Sequence, residues 1–297
     1  MALPKLVAVV GANASGKSSL GVALARAFDG EVISADSRQV FRGLDLGSGK
    51  ITPEETQGVI HHLIDVVEPD TFFSMYDFQK LAYAAIDDVL ARGRRPFLVG
   101  GTGLYVASVT EGYVMSDRAP DLSYRAELET YSTDALYNML IEKLPDIEID
   151  RYNRNRVMRV LEKLHDGDDG HGRSEPRYDT LKLGVGWDRE TIRRRIDERL
   201  ETRVRQGMID EVRALIGAGV SREFLMKLGL EYRFITRYLD GDFSSEREML
   251  DLLATAIKQF AKRQMIWFRR DPDIRWLDLS GDYKAEAMAL TAAFLEK

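Results

Sequence analysis

The chain has 297 residues, 44% of them hydrophobic and 30% charged, enough for one large domain or two modest ones around an ordinary soluble core. It holds no cysteine, which excludes disulfides, thiolate catalysis and cysteine-ligated zinc. A formal net charge of −6 weighs against a nucleic-acid partner, because phosphate contacts are carried by Lys and Arg, although their distribution matters more than the total.

Met1-Ala2-Leu3-Pro4-Lys5 lacks the layout of a signal peptide. No apolar run approaches the roughly 20 residues of a membrane helix, so a cytoplasmic protein without a membrane partner is expected. Leu6–Val10 reads as a buried strand and Ser19–Phe28 as a helix. Between them, Gly11-Ala12-Asn13-Ala14-Ser15-Gly16-Lys17-Ser18 satisfies G-x-x-x-x-G-K-[ST], a nucleotide-binding P-loop pattern. Its glycines let backbone N–H groups turn around a phosphate, Lys17 adds a point charge, and Ser18 offers a hydroxyl to Mg²⁺. By itself the motif points to a di- or triphosphate such as ATP.

Glu31–Ser34 is a short strand ending near Asp36, and His62–Val67 is another strand candidate. Asp77–Arg92 is an amphipathic helix, and Pro96–Val99 a buried strand running into Gly100-Gly101-Thr102-Gly103. This alternation predicts an α/β fold: a P-loop NTPase-like parallel sheet flanked by helices, with ligands at the carboxyl ends of the strands. From about residue 116 to 150 the chain turns helical and polar, with helices opening at Ala119-Pro120-Asp121 and Ser132-Thr133-Asp134. A small all-helical insertion is expected there, between core segments 1–115 and 151–297. Arg154–Leu164 reads as a helix, Asp166–Gly172 as a mobile loop, and Leu181–Gly186 as a strand. From Glu190 onward the chain reads as mostly helical. Acid is spread along the first half. Base clusters later, at Arg151, Arg154, Arg156 and Arg159, at Arg193–Arg195 and Arg199, and at Lys258, Lys262, Arg263, Arg269 and Arg270. For any one cluster taken alone, a solvated helix face is the simplest reading.

Asp36 follows a strand end near the phosphate loop, where a carboxylate can act as general base, hold Mg²⁺ through water, or cap a helix. Gly100–Tyr105 offers flexible backbone and the Thr102 hydroxyl, or simply a strand-to-helix turn. The strand before it ends in glycine, not the Asp of many nucleotide hydrolases, and no N-K-x-D occurs; both count against a switch GTPase or motor ATPase. His61 and His62 point to opposite strand faces and cannot share one ion. Met265–Phe268 beside Arg263, Gln264, Arg269 and Arg270 reads equally as a nucleic-acid surface or as an amphipathic helix burying Trp267.

Taken together and in order, these residues resemble the tRNA dimethylallyltransferases, also called tRNA isopentenyltransferases, over nearly the whole chain. The likeness is carried by Gly11–Ser18, Asp36-Ser37-x-Gln39, Gly43–Gly47 before Lys50, and His61–Asp65 with Pro69. It continues through Asp77-Phe78, Gly100–Tyr105, Arg156-x-x-Arg159-x-Leu161-Glu162, and Arg195-Ile196-x-x-Arg199. Gly207, Glu211-Val212-Arg213, Ala261-Lys262-Arg263-Gln264 and Trp267-Phe268-Arg269 complete it.

The resemblance implies transfer of a dimethylallyl group from dimethylallyl diphosphate to N6 of the adenosine 3′ to the anticodon (position 37), in tRNAs reading codons that begin with U. The P-loop then holds the donor's diphosphate, with Mg²⁺ placed by Ser18. Asp36 is the base, with Thr102 nearby, and a late arginine completes the clamp, Arg199 being preferred over Arg213. The tRNA anticodon stem-loop is expected to meet Asp36, Ser37, Arg38, Gln39, Thr102, Arg156, Arg159, Lys262, Arg263 and Gln264, and the insertion to grip its stem. A monomer is expected.

The chain departs from the family at Phe41, usually Tyr, and at Gly47-Ser48-Gly49-Lys50, usually Gly-Thr-Ala-Lys. Leu228-Gly229-Leu230-Glu231-Tyr232 stands for a common Ile-Gly-Tyr-Lys-Glu, and Ile257-Lys258 for Thr-Arg. The zinc-binding extension of eukaryotic members is absent, which reads as a bacterial-type enzyme. The alternatives are an isopentenyltransferase acting on free adenine nucleotides and a P-loop small-molecule kinase with Asp36 as base toward a hydroxyl.

Overall fold

The computed structural model describes residues 2–115, 121–167 and 173–296. Two compact units are present, one formed by Met1–Gly112 with Pro176–Lys297 and one by Tyr113–Glu175.

The first unit is built on a parallel sheet. In chain order its strands are β1 (Lys5–Gly11), β2 (Gly30–Ser34), β3 (His61–His62) and β4 (Arg95–Gly100), followed after the second unit by β7 (Asp179–Val185) and β8 (Ile274–Trp276). Their order across the sheet is β3-β2-β4-β1-β7-β8, with Val7 beside Phe97 on one side and Leu181 on the other. Because β1 is covered on both faces it is a continuous apolar run. Leu6, Ala8 and Val10 face one layer, with Phe78, Ala82 and Ile86 of α3 (Met75–Ala91) and Val106 and Val109 of α4 (Gly103–Thr110). Val7 and Val9 face the other, with Leu20 and Leu24 of α1 (Lys17–Ala27) and Ala287 of α13 (Tyr283–Leu295). Ser74 and Asp77 close a reciprocal capping box at the start of α3.

A third cluster gathers the later helices: α8 (Arg189–Arg205), α9 (Met208–Gly217), α10 (Arg222–Leu228), α11 (Leu230–Leu239) and α12 (Glu246–Phe268). Ile196, Leu200, Val212, Tyr232, Ile235, Leu253 and Ile257 are buried in it together with Val40, Phe41 and Leu44 of the β2–β3 connection. That packing holds the loop after β2, and α8 and α12, against the carboxyl end of the sheet. Phe41 meets Phe73 and Phe224 edge-on, so an aromatic ring is retained at this position without a hydroxyl.

In this unit one strand expectation changes. The strand expected over residues 62–67 is only β3, because Leu63 (φ 62°) and Asp65 (φ 54°) take left-handed backbone that ends the ladder. The chain then passes Phe41, whose bridge partner is Val67. The stretch read as mostly helical from Glu190 onward is so, and it also contains β8, which extends the sheet beside β7.

The second unit contains α5 (Leu122–Glu129), α6 (Thr133–Lys143) and α7 (Arg154–His165), with the short antiparallel pair β5 (Tyr113–Val114) and β6 (Arg173–Ser174). It extends past the expected boundary at 150, because Val157, Met158 and Leu161 of α7 pack on Leu128, Leu136 and Leu140 of α5 and α6. Ala119 and Pro120, expected to open a helix, and most of the expected loop at 166–172 lie outside the described residues. Among the described residues no helix is long and apolar enough to cross a membrane.

Candidate active site

The connections leaving the carboxyl ends of β1, β2, β4 and β7 supply the site, as an open parallel sheet favours. After β1, the P-loop turns through Ala14 (φ 61°) and Gly16 (φ 90°) into α1. Gly16 serves as the helix N-cap without a side-chain cap, leaving the first amides of α1 free for an anion. The Ser15 hydroxyl is buried and has no hydrogen-bond partner among the described residues, a further open donor in the loop. The indole of Trp187, just after β7, donates to Ser15 O at 2.8 Å, while Arg195 stacks on the Trp187 ring with Cζ 4.3 Å from its centroid. Lys17 Nζ folds over the loop to donate to Ala12 O at 3.2 Å. Burial pulls the Lys17 ammonium down to about 8, against the opposing pull of Asp36.

After β2, Asp36 Oδ1 accepts from Arg38 N at 2.9 Å, so its carboxylate is fixed by its own turn. Thr102 Oγ1 accepts from Ser37 N at 3.1 Å, and Thr102 N donates to Ala35 O at 3.2 Å. The turn after β4 is thereby tied to the turn after β2, with Asp36 beside the tie. Gly100 is required at this crossing, since a Cβ there would fall on the Ala35 carbonyl. Gly103 is backed by the Trp267 indole in the same way.

Lys17, Ser18, Asp36, Arg38, Arg199 and Gln264 line one cleft with an open volume of about 620 Å³, and Val32, Ile51, Ile64 and Val99 supply its apolar wall. Arg199 reaches in from α8, donating to Asn13 Oδ1 at 3.1 Å and to Gly49 O at 3.2 Å. Arg213 lies outside: exposed on α9, its guanidinium pairs with Asp210. Gln264 of α12 accepts from Asn13 N at 2.9 Å and donates to Gly101 O at 2.8 Å, bridging the P-loop to the β4 turn. Gln39 is engaged by Ser34 Oγ and by Gly49 O. Lys262 and Arg263 are exposed on α12, with Arg263 and Arg38 each near the Phe260 ring, at 5.8 and 5.6 Å. Arg156 and Arg159 belong to the second unit, exposed on α7, where Arg159 donates to Glu162 at 3.0 Å.

His61 also lines the cleft, whereas His62 turns to the buried Glu31, 2.7 Å away. Arg92, Arg94 and His62 all donate to Glu31 and hold its carboxyl far below the usual range against the cost of burial.

Sequence reasoning named Glu211, Glu231 and Tyr232 but gave them no part in bracing the site. Glu231 is 2% exposed at its side chain and bonds Arg38 Nη1 at 2.9 Å; Arg38 Nε lies 4.0 Å from Asp36. The Glu211 carboxylate accepts from the amides of Asp45, Leu46 and Gly47 at 2.6–3.0 Å. The Tyr232 hydroxyl donates to Glu211 and accepts from Ser48 N, both at 3.0 Å. Glu231 and Tyr232 stand where the chain departs from its resemblance. A buried carboxylate and phenol in an amphipathic helix were the available signal.

Among the described residues no group of three or more His, Cys, Asp or Glu is placed to cage a metal. Ser18 is exposed in the cleft at the start of α1. A single hydroxyl beside a phosphate loop suits Mg²⁺, which keeps several waters and travels with substrate phosphates.

A phosphate loop, a fixed carboxylate and a half-buried guanidinium thus line one cleft of a P-loop-like α/β protein. Comparison with known proteins makes this specific. The family described as IPP transferase matches residues 39–271, and that described as isopentenyl transferase matches residues 4–67. The tRNA dimethylallyltransferase 2 of Shewanella sediminis is 43% identical over 296 residues, covering 97% of each chain. That of Syntrophotalea carbinolica is 44% identical over 286 residues, covering 93% of this chain and 95% of the relative. The solved full-length tRNA isopentenylpyrophosphate transferase of Bacillus halodurans superposes with a TM-score of 0.75 at 38% identity, covering 98% of this chain and 97% of that one. A eukaryotic dimethylallyltransferase captured acting on tRNA gives a TM-score of 0.85 at 26% identity, covering 99% of this chain and 80% of that one. The chain belongs to the IPP transferase family and is a prenyl-transferring enzyme. Neither a free-nucleotide transferase nor a kinase is favoured by these relatives.

Proposed function

We propose that the enzyme transfers the dimethylallyl group of dimethylallyl diphosphate to N6 of the adenosine 3′ to the anticodon, in tRNAs reading codons that begin with U. The observation that carries this reading is that Lys17 and Arg199 share one cleft with the carboxylate of Asp36. One end suits a departing diphosphate and the other an amine losing a proton.

In this reading the P-loop amides, Lys17 and Arg199 hold the diphosphate and take up the charge that builds on its bridging oxygen as the carbon–oxygen bond breaks. The apolar wall of Val32, Ile51, Ile64 and Val99 gives the five-carbon chain a dry surface and keeps water from the allylic carbon. N6 forms the new carbon–nitrogen bond, and Asp36 accepts the proton it gives up. An adenine amine is a weak nucleophile, so fixing it beside Asp36, with the Ser37–Thr102 pair adjacent, contributes through orientation as well as basicity. Ser18 would hold Mg²⁺, which supplies charge neutralisation on the diphosphate. The anticodon loop is unpaired, so turning the base out of its stack is inexpensive. The exposed Lys262 and Arg263, and Arg156 and Arg159 on the second unit, supply phosphate contacts to the anticodon stem-loop. The enzyme works in the cytoplasm as a monomer.

The test is incubation with dimethylallyl diphosphate and unmodified tRNA, followed by nucleoside mass analysis. N6-dimethylallyladenosine is expected. Its absence, with ATP-dependent phosphorylation of a metabolite instead, would overturn the proposal.

A further inference from the structure

Arg203 lies one turn beyond Arg199 on α8 and has no part in the reaction described above. It is only 8% exposed, yet among the described residues it makes no hydrogen bond or ion pair. Its guanidinium occupies the space that a side chain at residue 49 would take. A Cβ on Gly49 would fall on Arg203 Nη2, 2.5 Å from Arg203 Cζ and 2.6 Å from Arg199 Nη2. Residue 49 is glycine, at φ 65°, in the loop whose Ser48 lines the cleft and whose Gly49 O accepts from Arg199. Two like-charged guanidinium groups are thus packed side by side against one bare stretch of backbone. Burial, and then the neighbouring charge of Arg199, pull Arg203 down to about 9, and the opposing pull of Glu231 is weaker. Arg203 therefore remains a cation at neutral pH.

The local charges do not balance within the protein. Lys17, Arg38, Arg199 and Arg203 face Asp36 and Glu231, with the exposed Glu55 also acting on Arg199, and Glu231 is committed to Arg38. Burying an unpaired cation beside another destabilises a fold unless a bound anion supplies the missing charge. The free amides at the start of α1 add to this positive field, so a diphosphate, which carries more charge than a monophosphate and spans two groups, gains more from it.

We infer that Arg203 is a positioning residue for the donor's diphosphate: it acts through Arg199 and Gly49 to make the cleft select two linked phosphates over one. This rests on the donor reading given above. The effect falls on donor affinity, and hence on KM, more than on kcat, because Arg203 sits behind the groups that touch the reacting atoms.

The experiment measures binding of inorganic pyrophosphate and of inorganic phosphate by calorimetry, and KM and kcat for dimethylallyl diphosphate. It uses the parent enzyme, Arg203→Met and Arg203→Lys. Loss of a unit charge one guanidinium away from the anion is expected to weaken pyrophosphate about tenfold in Arg203→Met. Phosphate should weaken by less, KM should rise with a smaller change in kcat, and the melting temperature without ligand should rise. Arg203→Lys is expected to recover most of the pyrophosphate affinity. Arg203→Gln runs beside these as a second uncharged variant, should the methionine not fold. Pyrophosphate affinity within twofold of the parent in a folded uncharged variant would overturn the inference while leaving the donor reading intact. Failure of the parent itself to bind pyrophosphate would overturn both.

Discussion

Removing the carboxylate of Glu231 isolates the bracing of Asp36 from the chemistry. Glu231 and Arg38 are 2% and 12% exposed at their side chains and bonded at 2.9 Å, so Glu231→Ala leaves a guanidinium buried without its main partner. Breaking such a pair costs about 3–5 kcal/mol. Asp36, 4.0 Å from Arg38 Nε, remains as a weaker partner and places the loss near the lower end, ~3 kcal/mol. For a chain of this size that lowers the melting temperature by roughly 6–9 °C. All three tryptophans, Trp187, Trp267 and Trp276, lie in the sheet-bearing unit, so urea unfolding followed by indole fluorescence reads that unit alone. Arg38→Met combined with Glu231→Leu should regain most of the loss, since an apolar pair needs no countercharge. A loss below about 1 kcal/mol for Glu231→Ala, the range of an exposed ion pair, would refute the bracing role.

Four further outcomes follow. Lys17 loses its proton near pH 8 in the free enzyme, so kcat/KM for the donor should be level below that pH and fall by up to tenfold per pH unit above it; a level profile to pH 9.5 would show that its charge is not needed. The same lowering makes folding stability rise between pH 8 and the ordinary lysine value of 10.5, because only the unfolded chain still binds that proton there. Asp36→Asn should lower single-turnover transfer about 10²–10⁴-fold with donor binding retained, and transfer at the parent rate would remove Asp36 as base. Gly100→Ala should cost about 1–3 kcal/mol by forcing its methyl into the Ala35 carbonyl, measured as a shift in urea midpoint; an unchanged midpoint would mean that the β2 and β4 turns are not locked together.

The core of the sheet was readable because the apolar runs at Leu6–Val10 and Pro96–Val99 are followed at once by glycine-rich turns, which leave few alternatives to strand and helix. β3 was overread because Leu63 and Asp65 adopt left-handed backbone that no side-chain pattern announces. β8 was missed because three residues between long helices give periodicity too little to act on. At the site, Gly11–Ser18, Asp36 and Thr102 were legible as residues that follow strands, and Arg199 through the likeness to a family. The placement of Gln264 between Asn13 and Gly101, and of Glu211 beneath residues 45–47, depends on contacts across more than 150 residues of sequence. Arg203 gave no sign in sequence because an arginine on a charged helix reads as solvated; only its place against Gly49 marks it.

Labelled dimethylallyl diphosphate can be offered to two anticodon stem-loop RNAs that differ at one base, adenine or purine at the position 3′ to the anticodon. Purine keeps the ring and its stacking and lacks only the exocyclic amine. If Asp36 and the P-loop act as assigned, label enters the adenine RNA alone and inorganic pyrophosphate is released in equal amount. Equal labelling of both RNAs, or of neither, would contradict the assignment of the cleft to N6 prenyl transfer.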